Sequence, residues 1–352
     1  MSYVGNERWI VSPSETVVDE QVFTSNGTWN KPTNGIITFI YAIGGGGGGG
    51  SGGRGSGESG GGGGAGGGVD LQIFATPALE STLAVTIGAA GTGGAARTSD
   101  TFGENGSNGG QTYIELADGT KIVWGYGGRS GLGGGDAYAG AGSPFHKGLF
   151  GRYNPRDSSI DDPTPGAGGR GEDTGNGAYA GYLGIGPGGG GGGSGSYDSS
   201  YRGAPGGAGA SLFNGIGSPT STRTLSYTNL NGTLRGGWKG RWDSYWSAWS
   251  TGYFADGTYN YRYQPLSGGG GNGGSSDGGN GSNGSDYTYG GSGGGGGVGG
   301  STGVAGGTGG NGGAPGGGGG AGGAQQSGDA NSGAGGNGAA GKVWIWTVRY
   351  TL

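Results

Sequence analysis

Unbroken runs of glycine are the feature that most limits how this chain can fold. Glycine occupies 109 of the 352 positions, about a third, against roughly 7% in ordinary proteins. A collagen triple helix has glycine at this density, but it also needs proline at many of the remaining positions, and the chain has only 12 prolines. The glycine runs therefore indicate either a flexible linker or some other ordered, glycine-rich structure.

Large apolar side chains are too few to fill two conventional cores. Hydrophobic residues make up 30% of the chain, and many of them are alanine. We therefore expect one small sheet domain, with the rest of the chain held by backbone hydrogen bonds. Cysteine is absent from the sequence, so neither disulfides nor thiolate metal sites contribute to stability.

Charge and hydropathy argue against several functional classes. The net charge of −5 does not provide the basic surface that nucleic acids or anionic membranes attract. No stretch approaches the apolar length of a membrane span, and the first residues lack the pattern of a signal peptide. Glycine-arginine pieces around Arg54 and Arg170 resemble RNA-binding tails, but we interpret both arginines as isolated solubilising charges. We expect a soluble chain with no nucleic-acid partner and no membrane insertion.

Short segments typical of β-strands lie near the two ends of the chain. We predict strands at Ile36–Ile43, Val69–Ala75, Leu83–Ile87, Thr112–Leu116, Lys121–Trp124 and Lys342–Tyr350. Asn26-Gly27 and Asp118-Gly119 predict tight hairpin turns, because these residues tolerate positive φ. The last strand carries apolar residues at both alternating sets of positions, which predicts burial on both faces. Together these segments predict a small β-sandwich-like frame.

Some of the glycines recur at every third position. One series is Gly297, Gly300, Gly303, Gly306, Gly309 and Gly312, and another is Gly307, Gly310, Gly313, Gly316, Gly319 and Gly322. A helix of the polyproline II type has three residues per turn, so a glycine stripe lets a neighbouring backbone approach and form hydrogen bonds. A linker has no need of aromatic residues placed at intervals, such as Tyr138 and Phe145. We therefore favour a lattice of polyglycine II helices over a linker.

These patterns divide the chain into five parts. Residues 1–21 are an N-terminal attachment arm, and residues 22–124 are the β frame, completed by the strand at 342–350. The other parts are a first glycine-rich lattice part at 125–221, an aromatic insert at 222–266 and a second lattice part at 267–341. The predicted fold class is mostly β and irregular, namely a small β-sandwich-like frame with a glycine-rich polyglycine II helix lattice.

The aromatic insert is the candidate binding site. Aromatic faces with polar edges stack on sugar rings or anchor in protein pockets at low entropic cost. The predicted receptor-binding residues are Trp238, Trp242, Tyr245, Trp246, Trp249, Tyr253, Tyr259 and Tyr261. An equally weighted alternative is that these rings form a small core. The tryptophan spacing fits a short helix as well as it fits irregular aromatic loops.

No pattern predicts catalysis, a cofactor or a metal. His146 is the only histidine, and no nucleophile elbow lies near it. The run Gly336–Lys342 approaches a phosphate-binding loop, but Val343 and a predicted strand follow where a serine or threonine and a helix are required. Asp157, Asp161 and Asp162 lack the ordered spacing of a calcium loop.

An ordered series of motifs resembles a known family. The series is VFTSNGTWNKP from position 22, IITFIYAIGGGGGGGSGG from 36, LAVTIGAAGTGG from 83, TSDTFG from 98 and KVWIWTV from 342. It resembles the glycine-rich domain of bacteriophage tail-fibre and minor tail proteins over roughly residues 22 to 350. In composition the chain is also similar to phage adhesins of the polyglycine II type. The aromatic insert and the N-terminal arm depart from the commonest pattern.

The resemblance implies a bacteriophage structural protein on the virion surface, at a tail-fibre tip. It implies an adhesin for host adsorption, without catalysis, that contacts other virion proteins through its N-terminal region. It further implies that the receptor is a host cell-surface glycan or protein. The alternatives are a structural capsid fibre or head decoration protein, and a polysaccharide depolymerase, since 23 acidic residues allow many carboxylate pairs. We expect a monomeric unit repeated on the particle.

Overall fold

The computed structural model describes residues 15–135, 138–139, 171–172, 187, 189–195, 273–274, 276–286, 288–326 and 330–351. Its strands are β1 Glu15–Phe23, β2 Gly27–Asn30, β3 Gly35–Ile43, β4 Val69–Ala75, β5 Thr82–Thr86, β6 Thr112–Glu115, β7 Lys121–Gly125, β8 Tyr138–Ala139, β9 Gly171–Glu172 and β10 Lys342–Thr351. The helical content of these residues is a single 3₁₀ turn at Thr76–Ala78. The predicted fold class, mostly β and irregular, is confirmed.

Two antiparallel four-stranded sheets form the frame. The first sheet has the order β1-β10-β3-β4 and the second has the order β2-β5-β6-β7. Strands β8 and β9 pair separately. The C-terminal strand β10 lies between β1 and β3, so both ends of the described chain belong to the same sheet.

The two sheets face each other across one apolar core, as the sandwich prediction requires. Each strand alternates inward and outward side chains, and the inward set is buried. Its buried members are Trp29, Ile40, Ala42, Leu79, Leu83, Val85, Ile114, Val123, Val343 and Ile345. Burial of each large side chain of this kind contributes about 1.5–3 kcal/mol to stability. Burial of apolar side chains therefore stabilises the frame, as it does in other β-sandwiches.

The predicted strands agree closely with the observed ones. Val69–Ala75 has the same bounds in sequence and structure, and the other five predicted strands differ by at most one residue at either end. β1 begins at Glu15, so the sheet includes residues 15–21, which the sequence analysis assigned to an N-terminal arm. In the structure β1 alternates exposed and half-buried positions from residue 16 onwards, whereas its apolar residues occur in adjacent pairs, Val17-Val18 and Val22-Phe23. The sequence therefore lacks the alternating pattern that predicts a strand.

The hairpin predicted at Asn26-Gly27 is wrong. β1 and β2, which flank it, belong to different sheets, because β1 pairs with β10 and β2 pairs with β5. The turn is instead a corner, in which the chain passes from the first sheet to the second. The Asn26 side-chain oxygen accepts a hydrogen bond of 2.8 Å from the amide of Ile87, and this bond holds the corner against the end of β5.

The hairpin predicted at Asp118-Gly119 is confirmed, with a longer loop than expected. β6 and β7 are paired, and the five residues 116–120 lie between them, with Gly119 at a φ of +83°. The Gly119 amide donates to Leu116 and the Leu116 amide donates to Thr120. The Asp118 carboxylate accepts the Thr120 N–H at 2.8 Å, and this bond lowers the pKa of Asp118 below its ordinary value.

Glycine-rich segments extend from one end of the sandwich and pack side by side as a glycine bundle. The described segments are 44–55, 59–68, 88–94, 101–110, 126–135, 189–195, 279–286, 291–300, 304–313, 316–325 and 331–341. Several of them continue sandwich strands directly; segment 44–55 leaves β3 and segment 59–68 enters β4. Four segments thus lie within the range 22–124 that the sequence analysis assigned to the β frame.

Segment 44–55 shows how the bundle is held together. From Gly44 to Gly53, successive amides donate in turn to segments 59–68, 101–110 and 331–341, at N···O distances of 2.8–3.0 Å. Its carbonyls accept amides from segments 88–94, 126–135 and 316–325. The segment therefore contacts six neighbours, three antiparallel and three parallel. Segment 316–325 is surrounded in the same way.

The hydrogen bonds repeat at every third residue along both central segments. A backbone whose amides point in three directions in turn has a threefold repeat along its axis, which is the number of residues per turn of a polyproline II helix. At a rise of about 3.1 Å per residue, a ten-residue segment of that kind extends roughly 31 Å. Glycine identity matters here for sterics: a Cβ added at Gly48 would lie 1.9 Å from the carbonyl oxygen of Thr92.

Asparagine and aspartate side chains complete the hydrogen bonding at the outside of the bundle. The side-chain oxygens of Asn280, Asn283 and Asp286, three residues apart, accept backbone amides of segment 304–313 and its following turn at 2.7–2.8 Å. Asn105 and Asn108 accept amides of segment 126–135 in the same way. A side-chain carbonyl thus replaces the neighbouring segment that an outer segment lacks.

Tyr289 anchors the near end of the bundle to the sandwich. Its ring packs against Tyr41, Trp344 and Trp346 on the outer face of the first sheet, with centroid distances of 5.3–6.5 Å. The Tyr41 hydroxyl donates to the backbone carbonyl of Tyr289 at 3.3 Å. Burial raises the pKa of Tyr41 above its ordinary value, so the hydroxyl stays protonated and remains a donor.

We expect Gly48→Ala to lower the free energy of unfolding by about 2–3 kcal/mol, because the new methyl group meets a backbone carbonyl that is itself fixed by neighbours. Gly135→Ala is the matched control, since a Cβ there has no heavy atom within 4 Å, and a change within about 0.5 kcal/mol is expected. Chemical denaturation followed by tryptophan fluorescence measures both. Equal losses in the two variants would contradict the packing described for the bundle.

Candidate recognition site

One end of the first sheet and the outer chain reversals of the glycine bundle lie at opposite ends of the molecule. Glu15 and Thr351 pair at the end of the first sheet that is remote from the bundle, whereas Ile43 and Lys342 lie at the end where the bundle begins. We name the other extreme the far tip, meaning the reversals at 54–58, 95–100 and 301–304. The molecule therefore has two chemically different ends.

The residues that flank the aromatic insert lie in the far half of the bundle. Ser194 donates its amide to Gly297, and its hydroxyl oxygen accepts the Gly299 amide at 2.9 Å. On the other side, the amide of Gly274 donates to the Gly296 carbonyl at 2.9 Å. Ser194 and Gly274 therefore both lie beside the outer part of segment 291–300.

The predicted receptor-binding residues lie between these two flanks and outside the described residues. They are Trp238, Trp242, Tyr245, Trp246, Trp249, Tyr253, Tyr259 and Tyr261. Their role, and the choice between helix and loop for this segment, stay predictions. His146, Asp157, Asp161, Asp162 and Arg170 also lie outside the described residues.

Arg54 lies at the centre of the far tip. Isolated β-bridges link it to Thr101 and to Gln325, so it joins three segments. Its side chain is only 12% exposed and forms an ion pair of 3.4 Å with Asp100, while Nη1 donates to the carbonyl of Thr98. Our interpretation of Arg54 as a solubilising charge is wrong, because the guanidinium fastens the 95–100 reversal to the central segment.

Arg97 also connects the reversal at 95–100 to neighbouring segments. Its backbone amide donates to the Ser332 hydroxyl at 2.9 Å, and its guanidinium donates to the carbonyl of Phe102 at 2.8 Å and to Glu104 at 3.3 Å. The Glu104 side chain is 51% exposed, and an exposed ion pair of this kind contributes little to stability. The pair fixes where the loop lies more than it stabilises the fold.

A second polar cluster joins the remaining reversals. The Asp277 carboxylate accepts both the amide and the hydroxyl of Ser301, and Gln325, which is fully buried, donates to the Ser301 carbonyl at 3.3 Å. The turn at 301–304 is thus tied to Asp277, which follows the insert in sequence. The far tip is consequently a set of short loops that hold one another in place.

Exposed apolar side chains accompany these polar contacts. Phe102 and Leu132 lie on adjacent segments near the far tip, and Val304 lies in a reversal; they are 52%, 47% and 37% exposed. Sequence reasoning did not select them. The sequence pattern that could have identified them is a single apolar residue in a polar, glycine-rich turn, as in TSDTFG for Phe102.

Other chemistries find no support in the described part of the chain. The amides of Gly336, Gly338 and Ala339 all donate to backbone carbonyls, so the run resembling a phosphate-binding loop has no free donors at these positions. The described residues contain no group of three His, Cys, Asp or Glu side chains placed to hold a metal ion. Their helical content includes nothing long and apolar enough to cross a membrane.

The far tip and its flanking loops thus combine fixed backbone, two ion pairs and exposed apolar side chains. Such a surface suits contact with another macromolecule, since it presents preorganised loops rather than an enclosed cleft. Comparison with known proteins adds no family: no protein-family model and no curated protein sequence matches the chain.

We expect Arg54→Ala to lower the free energy of unfolding by about 1 kcal/mol, because it removes a half-screened ion pair and a hydrogen bond at the far tip. Amide hydrogen exchange across residues 95–101 should accelerate in the same variant. Arg97→Ala is the control, since its guanidinium is more exposed, and it should change stability by less than about 0.5 kcal/mol. Unchanged exchange in the Arg54 variant would show that the arginine does not fasten the loop.

Proposed function

We propose that this chain is a bacteriophage virion-surface protein, an adhesin at a tail-fibre tip that binds the host surface without catalysis. One observation carries the proposal. The strand ends Glu15 and Thr351 lie at one end of the molecule, whereas Ser194 and Gly274, which precede and follow the aromatic insert in sequence, lie in the far half of the glycine bundle. This arrangement suits a protein attached at one end that presents a binding segment at the other.

The glycine bundle acts as the platform. Each central segment is hydrogen-bonded to six neighbours, and Ser194 and Gly274, which precede and follow the insert in sequence, belong to that network. A binding segment whose ends are fixed loses less conformational entropy on binding than one at the end of a free chain. The platform therefore raises the affinity of the insert without contacting the receptor.

The insert supplies the binding chemistry. Its tryptophans and tyrosines combine large apolar faces with a polar N–H or O–H, which suits stacking on the sugar rings of a surface glycan or anchoring in a protein pocket. Arg241, Asp243 and Arg262 add hydrogen-bonding groups in the same stretch. The receptor is accordingly a host cell-surface glycan or protein.

We also propose that the segments of the bundle are polyglycine II helices. The threefold repeat of their hydrogen bonds supports this assignment. A crystal structure of the protein should give φ near −75° and ψ near +145° over residues 45–53. Values typical of a β-strand, with φ near −120° to −140°, would instead make the bundle a set of extended strands.

We expect the double substitution Trp242→Ala and Trp246→Ala to weaken adsorption of the purified protein to host cells at least about tenfold, as loss of two interface anchors does. The midpoint of thermal unfolding should stay the same. Tyr350→Ala is the control, because this tyrosine is 40% exposed but lies at the opposite end of the molecule, and adsorption should be unaffected.

Two results would count against the adhesin. If the double variant unfolds at a markedly lower temperature, the rings form a core rather than a binding surface. Electron microscopy of virions labelled with an antibody to this protein provides a second test. Label at the tail tip agrees with the proposal, whereas label on the capsid favours a structural fibre or decoration protein.

A further inference from the structure

β1 is an open edge of the first sheet. All nine of its residues pair with β10 in continuous register. Among the strands that the structure describes, none pairs with the opposite edge of β1. Its sequence, ETVVDEQVF, contains no proline or lysine, which are common means of protecting an edge, and no bulge interrupts its pairing. A strand of this length with a free side is a template for another strand.

The exposed face of β1 has a simple chemical pattern. Val18, Glu20 and Val22 point outwards, and the two valines are 62% and 46% exposed. Register places them beside Val348, Trp346 and Trp344 of β10, so they continue an apolar surface across the sheet. Glu20 is held in place by the Trp346 indole, whose N–H donates to Oε1 at 3.0 Å.

The other face of the strand also carries acidic residues, and Arg349 of β10 lies on that face, opposite Val17. Asp19 follows Val18 and is half-buried, and β1 contains no basic residue. A strand that pairs with β1 therefore meets an apolar position, an acidic position and an apolar position in turn on the outer face. Cross-strand pairs of opposite charge stabilise such a ladder, whereas like charges destabilise it.

We propose that the free edge of β1 binds an extended segment of a partner protein in which a basic residue lies between two apolar residues on one face. Backbone hydrogen bonds supply the affinity in this mode of recognition, and the alternating side chains supply the specificity. Glu20 selects the basic residue, and Val18 and Val22 contact the apolar ones.

A second copy of this chain is a poorer occupant. An antiparallel pair of β1 strands centred on Asp19 or on Glu20 sets that carboxylate against its own copy, and a pair centred between them sets Asp19 against Glu20. Each arrangement opposes like charges. Centring the pair on Val18 avoids this opposition but pairs seven residues, whereas the register that pairs all nine is the one centred on Asp19. The charge pattern therefore disfavours the longest pairing between two copies.

The position of the edge suggests where the partner belongs. β1 begins at the end of the molecule remote from the far tip, so a bound strand begins or ends away from the far tip. In a virion this strand would come from the neighbouring virion protein, an identification that rests on the proposed function. The strand pairing itself does not depend on it.

A capped synthetic peptide tests the proposal directly. The probe alternates threonine with valine, lysine and valine, so that the lysine lies between two valines on one face; the matched control has glutamate in place of lysine. We expect the lysine peptide to bind the full-length protein about threefold to tenfold more tightly than the control, as measured by fluorescence anisotropy. Amide hydrogen exchange should slow in β1 when the lysine peptide is bound.

Two substitutions identify the selecting residue. Glu20→Lys should reverse the preference between the peptides. Glu20→Gln keeps an oxygen that accepts the Trp346 N–H, so it should fold as the natural chain does and bind both peptides equally. Thermal unfolding of each variant shows whether its fold is intact.

The proposal is overturned if neither peptide binds, if the preference survives in Glu20→Gln, or if exchange slows elsewhere than in β1. None of these outcomes depends on host adsorption. Failure of the strand pairing and failure of the adhesin role are therefore distinguishable, since the first is measured with peptides and the second with cells.

Discussion

Direct contact between neighbouring backbones is the interaction on which the rest of this structure depends. Within the bundle, amides and carbonyls of adjacent segments meet at hydrogen-bonding distance, and a side chain at a position such as Gly48 would occupy the space of the neighbouring backbone. Each such bond contributes a net 0.5–1.5 kcal/mol, about 1 on average, while ordering glycine costs more entropy than ordering any other residue. The sandwich offsets part of this cost, because its strands already fix the inner ends of segments that continue them.

Much of the frame could be predicted from sequence because its signals are local. β4 has apolar and β-branched residues bounded by turn residues, and its limits were recovered without error. Asn26-Gly27 failed because the same dipeptide serves a hairpin and a corner between sheets; the distinction depends on the distant strands β5 and β10. The period-three glycine series ran through Gly303 and Gly316, which occupy reversals at positive φ, since glycine fits a reversal as well as a helix.

The position of the residues around the candidate site could not be predicted from the sequence. The composition of the insert predicts a binding segment, but no local pattern indicates that Ser194 and Gly274 lie beside the outer part of segment 291–300. Arg54 shows the same limit. In sequence it is a lone arginine among glycines, and only its bridges to Thr101 and Gln325, far away in the chain, reveal that it organises the far tip.

The central position of segment 44–55 has a consequence for the order of assembly. Its neighbours include segments 316–325 and 331–341, which are synthesised long after it, as β10 is synthesised long after β3. Contacts between residues so distant in sequence form slowly, because a long loop must close first. Segment 44–55 can therefore acquire its neighbours 59–68 and 101–110 early, but its contacts with 316–325 and 331–341 form only after those segments have been synthesised. The bundle is completed by closure around its own first segment.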